Sequence, residues 1–153
     1  MNRKLYEQHR FDSDVSACYF EPQLVAGGAE PAGAWLGMAP YDKAMFVILG
    51  GDCTNIGDQL DVSVNQATSN AGAGTKPVVG KVIPTVTSLA TDQDDLWLIH
   101  LDVSELDVDG GFAFIQLAIT VSAADSWYLG VVCHRQSRVF EPVPVTNVTL
   151  IVD

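Results

Sequence analysis

Residues 96–134 read LWLIHLDVSELDVDGGFAFIQLAITVSAADSWYLGVVCH, and their pattern decides the fold. Three apolar runs rich in β-branched and aromatic residues are separated by SELDVDGG and SAADS. Runs of that kind bounded by Gly, Asp and Ser are strand signals. Side chains alternate along a strand, so Trp97, Ile99, Leu101 and Val103 share one face while Leu96, Leu98, His100 and Asp102 share the other. In the second run Ala113, Ile115, Leu117, Ile119 and Val121 form one face, and Phe112, Phe114, Gln116, Ala118 and Thr120 the other. Both of its faces are largely apolar, which predicts a central strand in a layered β structure.

Working outward, residues 15–25 carry ACYF and QLV on either side of Glu21 and Pro22. Proline cannot donate to a ladder, so an interrupted or edge strand is expected there. Residues 26–42, AGGAEPAGAWLGMAPYD, read as a long loop. Its Trp35, Met38 and Tyr41 are costly to leave in water and should pack on the core or on another subunit. AMFVIL, residues 44–49, predicts a buried strand closed by Gly50 and Gly51. Leu60, Val62 and Val64 alternate with Asp61, Ser63 and Asn65 as in a half-exposed strand. The Gly-rich segment QATSNAGAGTK, residues 66–76, reads as a surface loop. A strand over 78–89 should be an edge or carry a bulge, because of Pro84. Residues 138–152 predict a closing strand or pair of strands, interrupted at Pro142 and Pro144.

The chain thus offers about eight strand candidates and no amphipathic helix, and eight is the strand number of a jelly roll. The expected fold is all-β, an antiparallel sandwich of jelly-roll type; an up-and-down barrel or another sandwich is the alternative. The expected organisation is a short N-terminal arm over residues 1–14 and a single β-sandwich domain over 15–153. A length of 153 residues with 48% apolar content fits one domain with a full core.

Charge narrows the partners. Eight basic residues against 19 acidic ones give a net charge of -11, the opposite of a phosphate-binding surface, so no nucleic-acid partner is expected. Arg3, Lys4 and Arg10 against Glu7 leave the first ten residues at +2, so the remaining 143 carry -13. A basic arm precedes an acidic body. No apolar run reaches the roughly 18 residues of a spanning helix, and the arm lacks the apolar centre of a secretory signal, so no membrane partner is expected. Cys18, Cys53 and Cys133 are odd in number and far apart, which fits neither a disulfide framework nor a zinc site and predicts buried, reduced thiols.

Candidate chemistry is sparse. His100 and Asp102 share a strand face, and His134 offers a third ligand for a two-His, one-carboxylate iron site. The interval to His134 is short, however, and nothing marks a cosubstrate pocket, so ordinary surface or core-edge histidines are the plainer reading. Asp92, Asp94 and Asp95, or Asp107 and Asp109 before Gly110 and Gly111, cluster carboxylates without an EF-hand pattern and read as turn formers. GAGTKPVVGKV lacks the ending of a phosphate loop, and no GxSxG elbow occurs. Trp97, Trp127 and Tyr128 would be the aromatic platform of a carbohydrate-binding module, but their strand pattern favours core positions. No enzyme activity, cofactor or metal is expected.

The Gly/Ala-rich loop before AMFVILGGD, the LDVSVNQAT segment with its Gly-rich loop, and the block GGFAFIQLAITVSAADSWYLGVV together resemble the small all-β virion proteins of tailed bacteriophages, in particular capsid decoration or cement proteins. The resemblance covers about two-thirds of the chain and is one of pattern. It implies a non-enzymatic homotrimer, made in the host cytoplasm, that sits on the capsid exterior with the major capsid protein as partner. It carries over no catalytic residue. On that reading Arg3, Lys4, Tyr6, Arg10 and Phe11 of the arm, with Trp35, Met38 and Tyr41 of the long loop, are the expected capsid or subunit interface. A tail-tube, neck or tail-terminator protein is the alternative of the same origin.

Overall fold

The first strand pairs with the last, the second with the seventh, the third with the sixth and the fourth with the fifth, all antiparallel. This is the ladder of one long hairpin. Rolling it adds two further pairings, β3 with β8 and β4 with β7. Two four-stranded sheets result, ordered β1-β8-β3-β6 and β2-β7-β4-β5. The strands are β1 (Phe20–Ala26), β2 (Leu36–Gly37), β3 (Tyr41–Cys53), β4 (Gln59–Ala67), β5 (Lys76–Thr87), β6 (Asp95–Asp102), β7 (Phe114–Val121) and β8 (Ser126–Ser137). The computed structural model describes residues 19–28, 33–89, 94–122 and 125–137. Within them the fold is the all-β jelly-roll sandwich that the sequence predicts.

Alternation puts the core between the sheets. Phe46 and Ile48 from β3, Leu60, Val62 and Val64 from β4, Ile115 and Leu117 from β7, and Trp127, Leu129 and Val131 from β8 are all buried. Removing this apolar surface from water is the main favourable term in folding. Two side chains cross between the layers. Tyr19 donates its hydroxyl proton to the Ala34 carbonyl at 2.9 Å and accepts from the Leu117 amide at 3.2 Å. Burial pushes its pKa up to about 12, against the smaller opposing effect of the Leu117 amide. Arg135 is buried on β8, donates to the Gly37 carbonyl at 2.8 Å and lies 4.3 Å from the centre of the Tyr41 ring.

Proline places two edges where expected. β1 is an edge strand with a register shift between Phe20 and Gln23, around Glu21 and Pro22. β5 is also an edge, and its partner shifts from Ile83 to Val86 across Pro84. Two expectations change. The glycines at 50 and 51 do not close β3, which continues to Cys53. A Cβ on Gly50 would lie 2.5 Å from the Trp97 ring, so this glycine makes room for the indole inside the sandwich. The loop over residues 26–42 also contains β2, whose Leu36 and Gly37 pair with Ile115 and Phe114 on β7. β2 completes the eight strands, while the closing strand expected over 138–152 lies outside the described residues.

The β3–β4, β5–β6 and β7–β8 connections meet at one end of the sandwich. The buried Asp58 carboxylate accepts from the Asn55 amide at 2.9 Å, and its backbone carbonyl accepts from the Ser88 amide at 2.9 Å. Burial works against ionisation of Asp58, but hydrogen bonds from the Asn55, Ser126 and Thr54 backbones and with the Asp125 side chain outweigh it and hold its pKa below the usual carboxylate value.

Candidate functional site

The two sheets present unlike faces to solvent. On the outside of the β2-β7-β4-β5 sheet stand Asp61, Ser63 and Asn65 of β4, with Gln116, Ala118 and Thr120 of β7 opposite Asn65, Ser63 and Asp61. Thr85 on β5 donates to the Asp61 carboxylate. The β1-β8-β3-β6 sheet is apolar on its outside too. Leu49 lies between Gly130 and Leu96, Val47 between Val132 and Leu98, and Met45 between His134 and His100; Leu24 sits beside Tyr128. Leu24, Leu49, Leu96, Leu98 and Tyr128 retain 46–59% of their surface in water. Four strands at about 4.8 Å spacing over about 20 Å of length make a face of roughly 400 Å². That is the size of a functional patch, and about half of what one partner contributes to a standard interface.

One end of this face dips into a trough of about 350 Å³ lined by Pro22, Leu49, Gly51, Leu96, Tyr128 and Gly130, with Asp94 and Asp95 also lining it. It exists because Gly51 and Gly130 supply no side chain; Pro22 lies above the Gly130 Cα, 3.1 Å from where a Cβ would be. An apolar floor beside two carboxylates suits an apolar or aromatic side chain flanked by a cation.

The residues singled out from sequence are distributed as follows. Met38 is 1% exposed and belongs to the core, so it supports the fold and offers a partner nothing. Trp35 is half-buried against Gly72 of the β4–β5 loop. Tyr41 is half-buried beneath Arg135. Arg3, Lys4, Tyr6, Arg10 and Phe11 lie outside the described residues. Trp127 is fully buried and packs at 6.1 Å from Trp97, while Tyr128 points outward, so the three do not form one platform.

The histidines share the outer face but are separated by Met45 on the strand between them. Asp102 is engaged elsewhere. It caps a 3-10 turn over Val103–Glu105, accepting from the Ser104 amide and hydroxyl, while the Glu105 carboxylate accepts from the Asp102 amide. Ser104 first, and Lys43 and Lys81 to a lesser degree, keep the Asp102 carboxyl below its usual pKa. Asp107 accepts from the Gly110 amide and pairs with Lys76, which depresses its pKa; this is the turn-forming role expected of it. Among the described residues no group of three or more His, Cys, Asp or Glu side chains is placed to hold a metal ion. Cys53 and Cys133 are buried, and Cys18 lies outside the described residues. No described helix is long and apolar enough to cross a membrane.

Sequence patterning missed the apolar face and the trough. An apolar strand face signals burial wherever it points, and only the sheet order shows that Leu96 and Leu98 have no layer above them among the described residues.

No protein-family model matches the chain, and no curated protein sequence matches it significantly. Among solved structures, a chain in the structure of infectious bursal disease virus, Gx strain, aligns with a TM-score of 0.49 at 16% identity, over 76% of this chain and 29% of that one. The chain therefore spans less than a third of that neighbour's length.

Proposed function

We propose that this protein is a non-enzymatic structural protein of a virion, and that it decorates the capsid exterior as a homotrimer, bridging major capsid proteins and stabilising their contacts. The observation that carries the reading is the asymmetry of the sandwich. One sheet turns outward a face of roughly 400 Å² centred on apolar side chains, and on the other β4 and β7 turn a mostly polar set outward, with the exposed Val82 of β5 at its edge. A protein that lies on a shell needs such a difference between its docked and its solvent side. The jelly roll is a fold of capsid and lectin domains alike, so the fold supports the reading by analogy and the face supports it by physics.

The face is too small to be the whole interface. The arm, with Arg3, Lys4, Tyr6, Arg10 and Phe11, and the exposed part of Tyr41 supply the remainder, while Trp35 packs on the β4–β5 loop of the opposite sheet. Mixing the purified protein with undecorated capsids and imaging the particles tests this directly. The expected result is density on the capsid exterior with the β1-β8-β3-β6 sheet toward the shell. Density in a tail or neck ring would overturn it. Undiminished binding after deletion of residues 2–11 would remove the arm from the interface.

A further inference from the structure

Each sheet has two edges, and an edge strand displays unpaired backbone groups that invite another strand unless something blunts it. Three of the four edges are blunted. β1 is bent by its register shift at Glu21 and Pro22. β2 is only two residues long. β5 carries Pro77, Pro84, Lys76 and Lys81 and shifts register twice. β6 has none of these devices. Its eight residues, DLWLIHLD, pair with β3 in one unbroken register from Asp102 opposite Lys43 to Asp95 opposite Gly50. Nothing among the described residues pairs with its other side. Between the terminal aspartates it carries no fixed charge, no proline and no glycine, and Leu96 and Leu98 are 59% and 49% exposed.

We propose that the free edge of β6 is a strand-addition site, and that its occupant is the basic segment over residues 3–11 of this same chain. β6 is acidic at both ends, with Asp95 and Asp102 seven residues apart. The segment RKLYEQHRF is basic at both ends, with Arg3 and Arg10 also seven residues apart. Parallel pairing sets Arg3 beside Asp95 and Arg10 beside Asp102; antiparallel pairing exchanges the partners. Opposite charges directly across a ladder stabilise it. The same rule disfavours β6 of a second copy, because two-fold antiparallel pairing sets Asp95 against Asp102. Leu5, Tyr6 and Phe11 are of the kind that the neighbouring trough takes, beside Asp94 and Asp95.

Reach is no obstacle. Seven residues, 12–18, can span at most roughly 23 Å, and a strand added beyond β6 lies about 19 Å from β1. The segment reaches β6 of its own chain or of a neighbour, and the pairing is the same in both. The site stands whether or not the protein binds a capsid.

Amide hydrogen exchange on the full chain in solution, without capsids, tests it. In R3E/K4E/R10E the amides of residues 95–102 should exchange at least about tenfold faster than in the parent, with those of β8 unchanged. Adding D94K/D95K to that variant should restore protection at the Asp95 end of the strand, which faces one of the former arginines in either orientation. Equal exchange in parent and arm variant would overturn the proposal, as would acceleration at that end that the compensating lysines leave uncorrected.

Discussion

The two outer faces of this sandwich are built on the same jelly-roll ladder and differ only in what alternation delivers to solvent. β4 alternates strictly, with Leu60, Val62 and Val64 inward and Asp61, Ser63 and Asn65 outward. β3, β6 and β8 bury one apolar set and present a second. Burial can account for only one set per strand. The outward Leu49, Leu96, Leu98 and Tyr128 keep about half of their surface exposed, with no described layer above them.

Substitutions across the two sides of one sheet separate these roles most sharply. Phe46→Ala, inside, should lower stability by about 3–5 kcal/mol, read as the denaturant midpoint, while Leu98→Ser, outside, should change it by about 0.5 kcal/mol or less. A large effect of Leu98→Ser would mean that the face is already covered within the monomer. Next in size, Leu49→Glu with Leu98→Glu should weaken capsid binding at least about tenfold, equivalent to about 1.4 kcal/mol. Ser63→Glu with Thr120→Glu on the opposite face should leave binding unchanged. Loss of binding in both pairs would erase the functional distinction between the faces.

Tyr19 tests what holds the two sheets together. Tyr19→Phe removes both of its hydrogen bonds and should cost about 1–2 kcal/mol in thermal unfolding. Because the folded-state pKa of Tyr19 is raised to about 12, its contribution is complete below the ordinary tyrosine value near 10 and is lost as pH rises through 12. The variant should therefore flatten the alkaline fall in stability. Asp58 has the opposite sign. Its lowered pKa stabilises the fold above the usual carboxylate range and ceases to do so as pH falls through the folded value. Asp58→Asn should thus be less stable than the parent at pH 7, and the gap should close in acid. The smallest effect belongs to the polar face, where Thr85→Val removes an exposed hydrogen bond to Asp61 and should shift stability by about 0.5 kcal/mol or less.

The fold was legible because its signals are local. Alternation gave the inward faces of β4, β6 and β7, and Pro22 and Pro84 gave the two interrupted edges. β2 was not legible. A two-residue strand carries no period, and Leu36 and Met38 sit among Gly, Ala and Pro residues that signal a loop. Gly50 misled for a related reason, since glycine marks a turn or a close approach equally well, and the approaching ring belongs to Trp97, some fifty positions later. The apolar face and the open edge of β6 are properties of sheet order. Strand composition alone does not show which strand lies outermost.

That order also constrains how the chain can be made. β8 lies between β1 and β3, with Phe20 opposite Val131 and Val47 opposite Val132. Until Ser126–Ser137 has left the ribosome, β1 has no partner among the described strands of its sheet, and β3 is paired on one side only. At about 5–20 residues per second, the nascent chain spends seconds with apolar strands awaiting a neighbour that has yet to be synthesised. The acidic body, at -13 after residue 10, supplies repulsion between nascent chains during that interval.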